Sequence, residues 1–493
     1  MWGIGVNATA LAASAVTALA ATVGLVPSSA AGAPSAGTTA TGAAASASGS
    51  VPGRFLLVGG TGTGNIGVFG VAGDGTLSKA PGSPFAGDTG FAIVVSPDGK
   101  RAYVASLSKK SVKGYAIGAD GALTEIPGAY AEYDAAVVGV AFSPDGSRLF
   151  ATVGGEESGT VQTLAVGSTG ALTKTGAPAT IPGTSFLSQP VVSADGRFVY
   201  ATSFTSNTVT AFRIGADGSP TRIGEPLATG KGPALPNITP DGRFLYATNE
   251  QGANTSGYAI AEDGTLTPTP GSPYATGDLP HGGAVTPDSK RMYLPEAGSN
   301  KIAGFSIAGD GALTPLSGSP YPGPAFSMPG RVVHSPDAKR LFLIDVLQLG
   351  LSARVHTYDV DETDGRVAPT GQRAVDSGVF FADGPSSVIT PNQGPVAEVD
   401  TVDTPDLTGV FSASDSSDSD GSVVSYHWDF GDGTIRTTRT PETSHTFTKA
   451  GSRTVTVTVT DNEGCSSTRV FNGQVVSCNG GEKSRAATRV DIG

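Results

Sequence analysis

Thr239-Pro240-Asp241-Gly242-Arg243-Phe244-Leu245-Tyr246-Ala247-Thr248-Asn249-Glu250 is the stretch on which the fold turns. Pro presets φ for a tight turn, Asp caps it and Gly accepts positive φ, so the apolar runs on either side form a β-hairpin. The same turn recurs, with its Asp at Asp98, Asp145, Asp195, Asp241, Asp288 and Asp337, at spacings of 47, 50, 46, 47 and 49. A second turn, Asp-Gly-x-Leu or close to it, recurs at Asp74, Asp120, Asp217, Asp263, Asp310 and Asp364, with a degenerate copy at Ser168-Thr169-Gly170. Two hairpins in a period of this length make four strands, which is one blade of a β-propeller.

The second turn counts seven blades, whereas the first appears six times because the repeat begins at Arg54-Phe55-Leu56-Leu57-Val58 without its leading strand. Residues 385–390 supply a solitary strand at the other end. Pairing it with residues 54–59 closes the ring and leaves no exposed sheet edge, so the chain is read as all-β with a seven-bladed propeller over 51–392.

These repeats resemble the lactonase-type propellers, the family of 6-phosphogluconolactonase-like proteins. Pro240 to Glu250 and Ala119-Asp120-Gly121-Ala122-Leu123-Thr124 carry the resemblance. It implies the fold over roughly residues 54–392, and it implies activity weakly, because related propellers share these turns without being lactonases.

From Gly394 the period stops. Asp418-Ser419-Asp420-Gly421 leads into Trp428-Asp429-Phe430-Gly431-Asp432-Gly433, and His445-Thr446-Phe447 and the alternating run Thr454 to Asp461 follow. This closely resembles the PKD domain, an immunoglobulin-like β-sandwich, and assigns it to 393–493. Trp428 and Phe430 lie two apart on a strand and so face one side, as core anchors. The resemblance implies an extracellular spacer or a carbohydrate- or protein-contact module without catalytic machinery, with His427 and His445 packed against the sandwich. Cys465 and Cys478, the only cysteines, are expected to form a disulfide, with two buried free thiols as the alternative.

The first 53 residues contain no Lys or Arg, and Ala10 to Val26 is a weakly apolar run ending near Ser28-Ser29-Ala30. Residues 1–30 read as a secretory signal and 31–50, nearly all Ala, Gly, Ser and Thr, as a flexible linker. Nothing later is long and apolar enough to span a bilayer. A net charge of −12 without a basic block disfavours nucleic acid and anionic membranes. The expectation is a secreted or cell-surface monomer.

In a propeller, residues before the inner strand and after the second strand share the open mouth. The first position offers Asp88, Asp134, Gln189, Lys231, Asp278, His281 and Arg331, and the second Ser106, Ser203, Asn249, Glu250, Glu296 and Asp345. Lactone opening needs a base for water and a cation or donor for the oxyanion. His281 with Glu296 or Glu250, and Arg331 as the cation, is the constellation that fits. Asp278, Gln189, Asn249 and Asp345 are the ligand-binding candidates. The mouth list is net acidic, which argues against a phosphorylated sugar.

Gly62-x-Gly64-x-x-Gly67 matches the dinucleotide fingerprint in letters, but Val68-Phe69-Gly70-Val71 continues as strand, so it is no nucleotide site. Asp415, Asp418 and Asp420 are read as turn caps, because the bidentate Glu of a calcium loop is missing. No cofactor and no metal is expected. The leading function is an exported binding protein holding a small molecule, glycan or surface protein at the mouth. An extracellular lactone hydrolase and a structural cell-surface protein are the alternatives.

Overall fold

Hydrogen bonds within the repeated turn explain why each blade forms where it does. In the computed structural model the Ser or Thr two residues before the turn Asp donates to its carboxylate, as Ser193 does to Asp195 and Thr239 to Asp241, both at 2.5 Å. The same carboxylate accepts the backbone N–H two residues on, from Arg197 at 3.0 Å and Arg243 at 3.1 Å. A Ser/Thr-x-Asp-x-Arg segment therefore makes its own turn before any blade packs.

The structure describes residues 50–493 apart from 63, 89–90, 156–157, 185, 347–351 and 383. The expected signal at 1–30 and all of the linker at 31–50 except Ser50 lie outside them. Seven antiparallel sheets form the ring. Their inner strands, in blade order, are Ser387–Ile389, Ala92–Val95, Ala136–Phe142, Val191–Val192, Pro233–Ile238, Ala284–Val285 and Pro329–His334. In blade 1 the inner strand comes from the far end of the repeat: Leu56 pairs with Ile389, Leu57 with Val388 and Val58 with Ser387. The expected closure is thus present.

Neighbouring blades are stitched by the residue after each turn. Arg101, Arg148, Arg197 and Arg291 donate to the backbone carbonyls of Ser168, Ala216, Glu262 and Thr363 in the next blade, at 2.7–3.2 Å. Arg243 does the same to Gly309, and Arg340 reaches Asp74 of blade 1 at 3.1 Å. The seventh arginine of the series, Arg54, departs from the pattern. It is buried and donates to Asp420 at 3.0 Å and Glu463 at 2.6 Å, both in the C-terminal region.

That region holds two further sheets around Phe411, Trp428, Phe430, Phe447, Val455, Val457 and Val459, all buried. Trp428 and Phe430 anchor the core as expected. His445 stacks on Phe430 at 4.2 Å between centroids, whereas His427 is exposed and meets Thr437 at 3.1 Å, so only one of the two histidines packs inward. Alternation along Val423–Asp429 explains this, since Trp428 takes the inward face and its neighbour must point out.

A hairpin of Arg469–Phe471 and Val476–Asn479 leaves the sandwich, stapled by the Cys465–Cys478 disulfide, and enters the ring from the Pro-Asp-Gly side. Its tip bonds to inner strands: Phe142 N–H donates to Gln474 O at 3.0 Å and Val192 N–H to Gly473 O at 2.7 Å. Phe471 and Val476 bury against Ala141, Phe150 and Val192, and Val475 joins the core of blades 1 to 3. The hairpin therefore covers the Pro-Asp-Gly face of the propeller.

Candidate functional site at the propeller mouth

Two turns at the mouth bring one histidine and one carboxylate together. His281 precedes the inner strand of blade 6, where its backbone N–H donates to Pro295 O at 2.8 Å. Glu250 follows the second strand of blade 5, held by its N–H to Gly232 O at 2.9 Å. His281 Nδ1 lies 2.6 Å from Gly330 O in blade 7, and a carbonyl accepts only, so Nδ1 carries a proton. Nε2 then faces Glu250 Oε1 at 3.1 Å. At that distance one hydrogen bond joins the imidazole and the carboxyl group. Both side chains are mostly buried, at 11% and 18% exposure, which strengthens the pair.

Among the described residues, the other candidate carboxylates are engaged elsewhere. Glu296 Oε1 accepts from Gly277 N–H at 2.7 Å and Oε2 from Ser299 at 2.9 Å, so it fixes its own blade's loop. Asp345 accepts from Ser327 and meets His356 at 3.1 Å, fully buried. Asn249 donates to Asn254 at 2.6 Å and Ser256 at 2.9 Å, again within one blade. Residues ending a second strand turn outward from the channel to tie loops, which is why this set is structural in geometry. Gln189 is buried against Val140 O at 3.2 Å, and Asp278 is exposed on its loop. Arg331 points into the channel, where Nη2 donates to Gln474 Oε1 at 3.2 Å, rather than toward His281.

Aromatic residues at the mouth were not among the expected site residues. Phe91, Phe186 and Phe204, all half-buried, form an edge-to-face chain with centroids 6.4 and 6.2 Å apart. Phe204 leans over Gly232, beside exposed Lys231, and so reaches the blade that carries Glu250. Phe326 and Phe380, 86% and 47% exposed, stand before the inner strands of blades 7 and 1. Phe91 stands immediately ahead of its inner strand, in Phe91-Ala92-Ile93-Val94-Val95, and Phe204 immediately after the second strand Phe198–Ser203; those positions were their sequence signal.

Comparison with known proteins gives the same architecture. Residues 38–278 match the family described as Lactonase, 7-bladed beta-propeller, and residues 392–475 match the PKD domain. The chain joins a lactonase-type propeller to a PKD domain. The periplasmic gluconolactonase of Pseudomonas aeruginosa superposes with a TM-score of 0.56 at 18% identity, covering 68% of this chain and 99% of that one. A protein from Lactobacillus plantarum gives 0.55 at 16% identity, over 68% of this chain and 98% of that one. At these identities the likeness concerns the fold.

The PKD region is 48% identical over 83 residues to the pre-pro-metalloprotease PrtV of Vibrio cholerae, covering 17% of this chain and 9% of that one. It is 38% identical over 98 residues to a microbial collagenase of Vibrio alginolyticus, covering 20% and 11%. The chain thus spans about a tenth of the length of these relatives. Among the described residues no helix is long and apolar enough to cross a membrane.

Proposed function

We propose that the mouth binds an amphipathic ring ligand, a sugar of a glycan or a free small molecule, stacked on the Phe91–Phe186–Phe204 arc. The arc beside the His281–Glu250 pair is the observation that carries this reading. Aromatic faces take the C–H faces of a sugar ring, and a carboxyl–imidazole pair reads its hydroxyls. The C-terminal domain acts as the spacer or contact module behind the closed face. Export is supported by the Cys465–Cys478 disulfide, since cytosolic proteins rarely keep one, and by the pre-pro form named for PrtV.

A second reading, lactone hydrolysis, is favoured by the family match and by the same pair. Glu250 would take the proton of a water whose oxygen attacks the lactone carbonyl carbon, and His281 would return a proton to the ring oxygen as the C–O bond breaks. With Arg331 engaged in the channel, this route would rely on His281 as its proton donor.

One experiment separates the two. The purified chain and its Phe204→Ala and Glu250→Gln variants are tested for binding on a glycan panel and for acid release from glucono-1,5-lactone. The binding reading expects saturable binding weakened at least tenfold by Phe204→Ala, with lactone opening at the buffer rate. Lactone turnover abolished by Glu250→Gln establishes the second reading, and neither result overturns both.

A further inference from the structure

The plugging hairpin fills only part of the channel. Its backbone bonds reach blades 3 and 4, through Phe142 and Val192. Against blades 5, 6, 7, 1 and 2 it leaves a cavity of about 70 Å³, room for a group of a few heavy atoms, lined among others by Asn237, Arg331, His334, Ser387, Asn472 and Gln474.

This cavity contains a cation without a counter-charge. Arg331 has one neutral partner, Gln474 Oε1, and its Nε makes no hydrogen bond. No carboxylate among the described residues forms an ion pair with it. Arg331 is half-buried and lines the cavity, and desolvation brings its pKa down to about 10, still charged at neutral pH. Ser387 Oγ, on the same wall, also lacks a partner, and the buried His334 ring lies beside it. Burial holds His334 down at about 4, so it is neutral and adds hydrogen-bonding capacity rather than charge. An unpaired charge away from bulk water is costly, and polar groups left without partners add to that cost.

We propose that the half-channel between the propeller and the inserted hairpin is an anion site, in which Arg331 and Ser387 hold a carboxylate or a small inorganic anion. A planar guanidinium with free donors suits such a group, and charge-assisted bonds to it satisfy atoms that no described residue reaches. Because Gln474 belongs to the hairpin, the anion joins the two domains as well as neutralising the channel.

The test uses the full chain at constant ionic strength in HEPES, an anion too large for the cavity, with acetate, phosphate or chloride titrated in. Melting temperature and calorimetric binding are read for the wild type, Arg331→Gln and Ser387→Ala. At least one anion is expected to stabilise the wild type saturably. A response to acetate points to a carboxylate-bearing ligand, and one to phosphate or chloride to a free ion. Arg331→Gln should lose the response and melt no lower than wild type in HEPES alone, since an uncompensated charge has gone. Ser387→Ala should weaken the response about threefold to tenfold, which keeps the proposal testable if Arg331→Gln does not fold. Absence of any saturable response in the wild type overturns it, as does an unchanged response in the variants.

Discussion

Replacing Gly473 by Ala should expel the hairpin from the ring while leaving the blades intact. Gly473 sits at φ +92°, a conformation L side chains rarely adopt, at the tip that accepts a bond from Val192 N–H. A Cβ there would stand 2.7 Å from Ile238 Cγ2, 3.2 Å from Ile238 Cβ and 3.3 Å from Val191 Cβ. Two of these atoms are Cβ atoms fixed by inner strands and cannot swing aside. The unfavourable backbone costs about 1–2 kcal/mol and the overpacking about 1–3 kcal/mol, so docking should weaken by about 3 kcal/mol. Amide hydrogen exchange reads this directly, because Phe142 and Val192 N–H are protected by the hairpin tip. Three kcal/mol corresponds to roughly a hundredfold faster exchange at those two amides. Tyr246 and Leu294, inside second strands of the ring, should be unaffected. Unchanged protection at Phe142 and Val192, or an equal loss at all four amides, would refute the reasoning.

Burial raises the Glu463 carboxyl to about 7, against the pull of Arg54 and with the push of Asp337, Asp420 and Asp461. A carboxyl raised on folding stabilises fully below its unfolded value and loses that contribution as pH rises through about 7. The melting temperature should therefore be higher at pH 5 than at pH 8, by an increment worth at most roughly 3 kcal/mol, and Glu463→Gln should flatten that profile between the two. Replacing both Cys465 and Cys478 by Ser should cost about 3 kcal/mol on the chain-entropy relation, and calorimetry finding no loss of stability would count against a staple. Val388→Asp places a charge in the closing strand at a 5% exposed position. It should destabilise by more than about 4 kcal/mol, with circular dichroism showing a collapsed propeller, and a native melt would contradict closure through that strand.

By itself the sequence determined the ring. Each Ser/Thr-x-Asp turn is satisfied by bonds spanning five residues or fewer, so the repeated turns and a stray strand at 385–390 were enough to count blades and to predict that this strand pairs with residues 54–59, as it does through Leu57 and Val388. Trp428 and Phe430 were legible for the same reason, because strand alternation is local. Tertiary structure decided which repeats broke rank. Arg54 occupies the same place in its repeat as Arg243, yet it turns to Asp420 and Glu463 because the blade-closing turn is replaced by the link to the next domain. Glu250 rather than Glu296 meets His281, since a second strand's last side chain turns outward to its own loop and the next residue crosses to the neighbouring blade. The hairpin at Gly473-Gln474, and with it the fate of Arg331, depends on contacts more than 140 residues apart, as between Arg331 and Gln474. No period or spacing encodes such a pairing, because it exists only once two separately patterned domains have packed together.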